Sequence, residues 1–242
     1  MKKLRRLTEA EVIAEFLRGE FFHKEYDADR DQFASIVQHP DLTNAVENEI
    51  RRVLLFRRRD TMWWELPVDR QWWELEMAQE DVEQVSVFPR AQWRKIARGN
   101  FKARDVAERI RELKEAEPDA FVAKISDICR NLPTDLPKGM IVLLGINEHL
   151  PVTLLEGNHR FIASLLTSAS GSIVGKHVIG GFSLHMERCC WYKTNFQTLL
   201  HYLKNRIQHY WARDPDIALL EHVEQEQRSA DYAESAPPIK TK

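Results

Sequence analysis

The densest group of chemically capable side chains in this sequence is the run Glu156-Gly157-Asn158-His159-Arg160. An apolar run, Pro151-Val152-Thr153-Leu154-Leu155, precedes it, and Phe161, Ile162, Leu165 and Leu166 follow at helical spacing. A strand therefore ends and a helix begins within this turn. Gly157 permits a backbone conformation that a β-carbon resists, and Asn158 is a favourable N-cap. The first amides of such a helix have no internal acceptor and carry the positive end of its dipole. His159 and Arg160 sit badly there as cations unless an anion is present. Free amides, a guanidinium and an imidazole together suit a phosphate or a carboxylate. Arg160 can hold two phosphate oxygens at once. The plainer alternative is a bare helix start, in which Asn158 only caps and Arg160 only pairs with a nearby acid.

The elements around the turn follow from periodicity. Residues 140–146 are a buried strand by run length and β-branching, Asn147-Glu148-His149 supplies turn residues, and 151–155 is its antiparallel hairpin partner. Further strands are expected at 72–77, 82–88 and 177–182, with 168–175 as a loop rich in Ser and Gly. Helices are expected at 91–98, 105–117, 121–130 and 195–211, the last with Leu199, Leu203 and Ile207 on one face, and another at 216–227. Toward the N-terminus, Thr8-Glu9-Ala10-Glu11 is a capping box opening a helix, and helices at 29–38 and 43–58 follow. Residues 60–73 hold Trp63, Trp64, Trp72 and Trp73, large rings that pack against something, which predicts an ordered connection rather than a flexible linker. The fold class expected is α+β: a small mixed sheet with a helical N-terminal annex (1–70), a core (71–190), a helical C-terminal cover (191–228) and a disordered tail (229–242).

Composition narrows the function classes. The 242 residues are 43% hydrophobic and 30% charged, enough for a core and against disorder over most of the length. A net charge of −2 gives no global reason to expect a nucleic-acid binder. Cys129, Cys189 and Cys190 are odd in number and irregular in spacing, which is no disulfide framework and fits a reducing compartment. The basic start Met1-Lys2-Lys3-Leu4-Arg5-Arg6-Leu7 lacks the apolar stretch of a secretory signal, so a cytoplasmic protein is expected.

The stretch from Val142 through Asn147-Glu148-His149 and Val152-Thr153-Leu154-Leu155 to Glu156-Gly157-Asn158-His159-Arg160-Phe161-Ile162-Ala163 resembles the ParB/sulfiredoxin-like superfamily. Its members show two strands and then an acid-Gly-x-His-Arg turn opening a helix, and they include partition proteins, sulfiredoxins and free serine kinases. The resemblance spans roughly 72–182 and is specific at 152–163. It implies that Gly157, Asn158, His159 and Arg160 contact the phosphates of a nucleotide (ATP, ADP or CTP), with Mg²⁺ as the accompanying cation. Glu156 would then coordinate that ion or orient an acceptor hydroxyl, and Arg90, after the opening strand and Pro89, would clamp from beside it. Three departures stand out. Glu156 replaces the usual Asp, Asn158 stands where sulfiredoxin has its reactive cysteine, and Arg90 stands where the serine kinases carry a carboxylate base.

The function expected is nucleotide-phosphate binding used for phosphoryl transfer to a small-molecule acceptor, or for nucleotide hydrolysis. Glu156, His159 and Arg160 are the candidate catalytic residues. The alternative is a non-catalytic module binding nucleic acid or protein, with a nuclease ranked below both. Arg51-Arg52 and Arg57-Arg58-Arg59 beside Trp63 and Trp64 could serve nucleic acid, but a solvated helix end explains them better. His149, Glu156 and His159, or His185, Cys189 and Cys190, lack the spacing of a zinc module, so no metal ligand set is expected. The two adjacent cysteines are expected to pack as small hydrophobes.

Overall fold

The computed structural model describes residues 1–89, 92–116, 119–131, 140–167 and 178–211. The N-terminal part runs β1 (Lys2–Leu7), α1 (Glu9–Glu20), α2 (Arg30–Gln38) and α3 (Ala45–Trp63). After it come β2 (Gln71–Glu76), β3 (Val85–Ser86), α4 (Gln92–Ala97), α5 (Ala103–Ala116) and α6 (Ala120–Asn131). The motif region is β4 (Ile141–Gly145), β5 (Val152–Glu156) and α7 (Asn158–Thr167), followed by β6 (Val178–Phe182) and α8 (Phe196–Trp211). The class is α+β. The strands described form one mixed six-stranded sheet in the order β1-β2-β6-β4-β5-β3. The expected helix at 216–227, the loop at 168–175 and the tail at 229–242 lie outside the described residues.

Hydrophobic content decides which strands are central. Every residue of β4 (Ile-Val-Leu-Leu-Gly) and β6 (Val-Ile-Gly-Gly-Phe) is buried, as strands covered on both faces require. They pair parallel to each other, and β5 pairs antiparallel with β4 as the hairpin pattern predicts. Alternate residues serve opposite faces. Val142, Leu144, Leu155 and Ile179 meet the layer built from α1, α2 and α3. Ile141, Leu143, Leu154 and Val178 meet the layer of α4, α5, α6 and α7.

Two strands depart from expectation. β1 falls inside what composition suggests is a helical annex, yet it adds an antiparallel edge strand beside β2. Its partners are acids: Lys2 pairs Glu76, and Arg5 pairs Glu74 and Glu11. The register slips between Lys3 and Arg5, and Leu4 ends up exposed. A short, basic, bulged strand is what a sheet edge tolerates without attracting further strands. The strand expected over 82–88 is instead a 3₁₀ turn (Gln79–Gln84) and the two residues of β3, parallel to β5.

The annex is joined tightly to the sheet. Trp63 stacks on Trp72 with ring centroids 5.6 Å apart, and its indole N–H donates to Glu9 Oε1 at 2.7 Å. The Arg70 guanidinium lies over both rings and also pairs with Glu9. Residues 60–73 are therefore the ordered connection expected. At the C-terminal side, Met186, Cys189, Cys190 and Trp191 pack into the annex-side core. Asn205 of α8 donates to Glu65 Oε1 at 3.0 Å. The apolar stripe of α8 faces outward instead of inward, with Leu203 55% and Ile207 61% exposed. Among the described residues no helix is long and apolar enough to cross a membrane.

Candidate functional site

The turn after β5 depends on Gly157. Its φ of +83° is the left-handed region, and a β-carbon there would lie 3.0 Å from the Met140 carbonyl oxygen and 3.2 Å from Ile141 Cα. Both conformation and space therefore demand glycine. The Gly157 N–H donates to Glu156 Oε1 at 3.0 Å, which fixes that carboxylate beside the turn. The first intrahelical bond of α7 runs from the Phe161 N–H to the Gly157 carbonyl at 2.8 Å. Gly157 is thus the N-cap, and it has no side chain with which to cover the amides of Asn158, His159 and Arg160. Those amides precede the first helical bond and have no acceptor within the helix.

Asn158 is not the cap that its type suggests. It is the first helical residue and is buried. Its Oδ1 accepts from the Phe88 N–H at 2.9 Å, and its Nδ2 donates to the Leu154 carbonyl at 3.5 Å. It ties the end of β3 to the motif turn, with both its oxygen and its nitrogen engaged by the scaffold. This bond docks Phe88 against α7, while Arg90 lies outside the described residues.

His159 points into an aromatic cluster, its ring 5.1 Å from Trp93 and 5.1 Å from Phe121. Burial pushes its pKa from the ordinary 6.5 down to about 4, and the positive charges of Lys124 and Arg160 add to the effect while Glu156 opposes it. The imidazole is therefore neutral at pH 7. It can donate one hydrogen bond but brings no positive charge. Arg160 Nη2 donates to the Met140 carbonyl at 3.0 Å, and its buried Nε has no hydrogen-bond partner. This anchor aims the guanidinium and leaves donor capacity at the cavity beside it.

That cavity has a volume of about 270 Å³ and is lined by Glu156, Gly157, His159 and Arg160, with Lys124 and Ile128 of α6 and with Glu20 and His23 of the annex. It lies at the exit of β5, where the two helical layers meet. Three of its residues were not singled out from sequence. Lys124 sits three residues after Phe121 and four before Ile128, on the border of an apolar face that packs on the core. Glu20 continues the stripe Ile13-Phe16-Leu17, a carboxylate at a position where an apolar residue is expected. Those placements were the available signals. What sequence could not give was the meeting of α1 with α7.

Other groups considered from sequence resolve differently. His149 lies on the hairpin turn, at the opposite end of β5 from Glu156, and a five-residue strand spans about 16 Å. It cannot join Glu156 and His159 in one site. His185 Nδ1 lies 3.0 Å from Asp69 Oδ2, and Ser183 Oγ donates to Asp69 Oδ1 at 2.7 Å. These bonds hold the Asp69 carboxyl below the usual carboxylate range. The Ser183 hydroxyl addresses the carboxylate and not the imidazole, so the trio fastens the end of β6 to the start of β2 rather than activating a nucleophile. Cys189 and Cys190 are buried and form no disulfide. Among the described residues no three His, Cys, Asp or Glu side chains could together hold a metal ion.

Arg51 is a clear correction. It is wholly buried rather than solvated. Its guanidinium pairs with Glu47 and donates to the carbonyls of Ile36 and Asp41 and to Asn48 Oδ1. It presents nothing to a nucleic acid. The side chains of Arg57, Arg58 and Arg59 lie outside the described residues.

Comparison of the chain with protein-family models, with curated proteins and with solved structures finds no match.

Proposed function

We propose that the cavity at the head of α7 binds the phosphates of a nucleotide, and that the protein is a phosphotransferase acting on a small molecule or a nucleotide hydrolase. The observation that carries this reading is the convergence of Lys124, Arg160 and the uncapped first turn of α7 on one cavity. Two cations and a helix N-terminus from separate elements make an anion site, and phosphoryl transfer asks chiefly for positioning and for neutralisation of phosphate charge. The motif resemblance of the same turn to ParB/sulfiredoxin-like proteins points to the same reading.

The roles divide as follows. Arg160 and Lys124 take phosphate oxygens, the amides of Asn158, His159 and Arg160 take another, and neutral His159 donates one hydrogen bond. Glu156, pinned to the turn by the Gly157 amide, is the residue that would hold Mg²⁺. Such ions are commonly bound by one or two carboxylates plus the substrate's own phosphates, and Glu156 would supply the carboxylate. Magnesium would supply further charge neutralisation at the transferred group. At about 270 Å³ the cavity is smaller than the roughly 300–1,000 Å³ of whole-ligand pockets. On this reading the cavity takes the phosphates of the nucleotide. We place the protein in the cytoplasm, where its thiols stay reduced.

The test is calorimetric titration of ATP, ADP and CTP with Mg²⁺ into the wild type, Arg160→Ala and Lys124→Ala. The reading expects binding to the wild type that weakens at least about tenfold, or 1.4 kcal/mol, in each variant. A well-folded wild type that binds none of the three, or an Arg160→Ala variant with unchanged affinity, rejects it.

A further inference from the structure

We infer that Glu20, at the end of α1, is the general base of this site and that His23 relays its proton to solvent. This inference rests on the phosphate reading above and adds the residue that would activate the acceptor.

Glu20 occupies an apolar-stripe position of α1 and is only 6% exposed. It lines the cavity of Arg160 and Lys124 although it belongs to the opposite helical layer. His23 lines the same cavity, with its Nε2 3.6 Å from Glu20 Oε1 and half of its side chain exposed. The turn carrying both is fixed. Phe21 is buried with its ring 5.4 Å from that of Tyr26. Arg30 Nη2 donates to the carbonyls of Phe21 and His23. A carboxylate from the annex thus lines the same cavity as Lys124, Arg160 and the first turn of α7.

The reaction is balanced without a further reagent. The acceptor hydroxyl gives its proton to the Glu20 carboxylate as its oxygen forms a bond to the terminal phosphorus of a nucleoside triphosphate. The bond from that phosphorus to the bridging oxygen breaks, and the nucleoside diphosphate leaves with the electron pair. The Glu20 proton then passes through His23, whose exposed ring reaches solvent. The other ionisable groups facing the cavity are Lys124, Glu156, His159 and Arg160. A positioned base of this kind contributes about 10²–10⁴-fold in rate.

The experiment compares full-length wild type, Glu20→Gln and His23→Gln in two assays, ATP·Mg²⁺ affinity by calorimetry and ADP release with water or glycerol as acceptor across pH. Glu20→Gln is expected to bind ATP as the wild type does and to turn over about 100-fold more slowly or worse. His23→Gln is expected to slow turnover by a smaller factor. If Glu20→Gln binds ATP and turns over at the wild-type rate, the base assignment is overturned while the phosphate pocket stands. Wild type that binds ATP but releases no ADP overturns it in the same way. Wild type that binds no ATP removes the pocket itself and the base with it. If Glu20→Gln fails to melt cooperatively, Glu20→Asp replaces it: slowed turnover with intact binding supports the role, and unchanged turnover overturns it.

Discussion

Acidification should unfold this protein partly through one histidine. His159 is held near pKa 4 by burial among Trp93 and Phe121 and by the nearby cations, against an ordinary 6.5. Above pH 6.5 it is neutral in both folded and unfolded chains. As pH falls from 6.5 to 4, the unfolded chain takes up a proton that the folded chain refuses, so stability falls with pH across that window and levels off below it. At 1.36 kcal/mol per pH unit, a depression from 6.5 to about 4 removes about 3 kcal/mol between pH 7 and pH 4. That is a large share of a typical folding free energy of about 5–15 kcal/mol. The assay is urea denaturation followed by tryptophan fluorescence at stepped pH, comparing wild type with His159→Phe, whose ring keeps the aromatic packing without titrating. Glu11, Asp41, Asp69 and Glu148 are also held low. They lose their stabilisation as pH falls through their own depressed values, equally in both proteins, and cancel in the comparison. The wild type should lose about 3 kcal/mol relative to the variant between pH 7 and 4. Parallel losses in the two proteins would refute the reasoning. Inorganic tripolyphosphate bound at Arg160 should raise the His159 pKa and flatten the slope.

Three further substitutions test the scaffold by the same denaturation assay. Gly157→Ala must place a β-carbon at positive φ against the Met140 carbonyl, and should cost about 1–3 kcal/mol from the backbone alone. Arg51→Ala strips a buried guanidinium from Glu47 and from two carbonyls, and should cost about 3–5 kcal/mol. A loss under about 1 kcal/mol would show that solvent replaces those partners. Thr8→Ala breaks the capping box in which Thr8 Oγ1 accepts from the Glu11 amide and Glu11 accepts from the Thr8 amide, and should cost about 1 kcal/mol.

Local patterns were legible where the physics is local. The Thr8–Glu11 box, the β4–β5 hairpin and the start of α7 all rest on residues a few positions apart, and all stand in the structure. Gly157 was readable as the turn residue because positive φ has few other solutions. What escaped the sequence depends on partners far along the chain. β1 has little hydrophobic alternation, and its partner β2, which sets Glu74 and Glu76 opposite Arg5 and Lys2, lies far along the chain. Asn158 looks like a cap until Phe88 is brought to its side chain. Arg51 reads as surface charge until α2 and the 41–48 turn close over it. The site divides in the same way. Its motif wall is contiguous in sequence, whereas Lys124, Glu20 and His23 arrive through the packing of α6 and α1. α8 is the reverse case: its stripe is a sound helix signal but does not say that the face is buried, and it is not.

The central claim is that phosphate sits on the first turn of α7. The most direct measurement is the ¹H–¹⁵N spectrum of labelled protein titrated with ATP·Mg²⁺. The account predicts that the largest shifts fall on the amides of Asn158, His159 and Arg160, with smaller ones at Lys124 and Glu20, and that Arg160→Ala abolishes them. Shifts centred elsewhere, or none at saturating nucleotide, would contradict it.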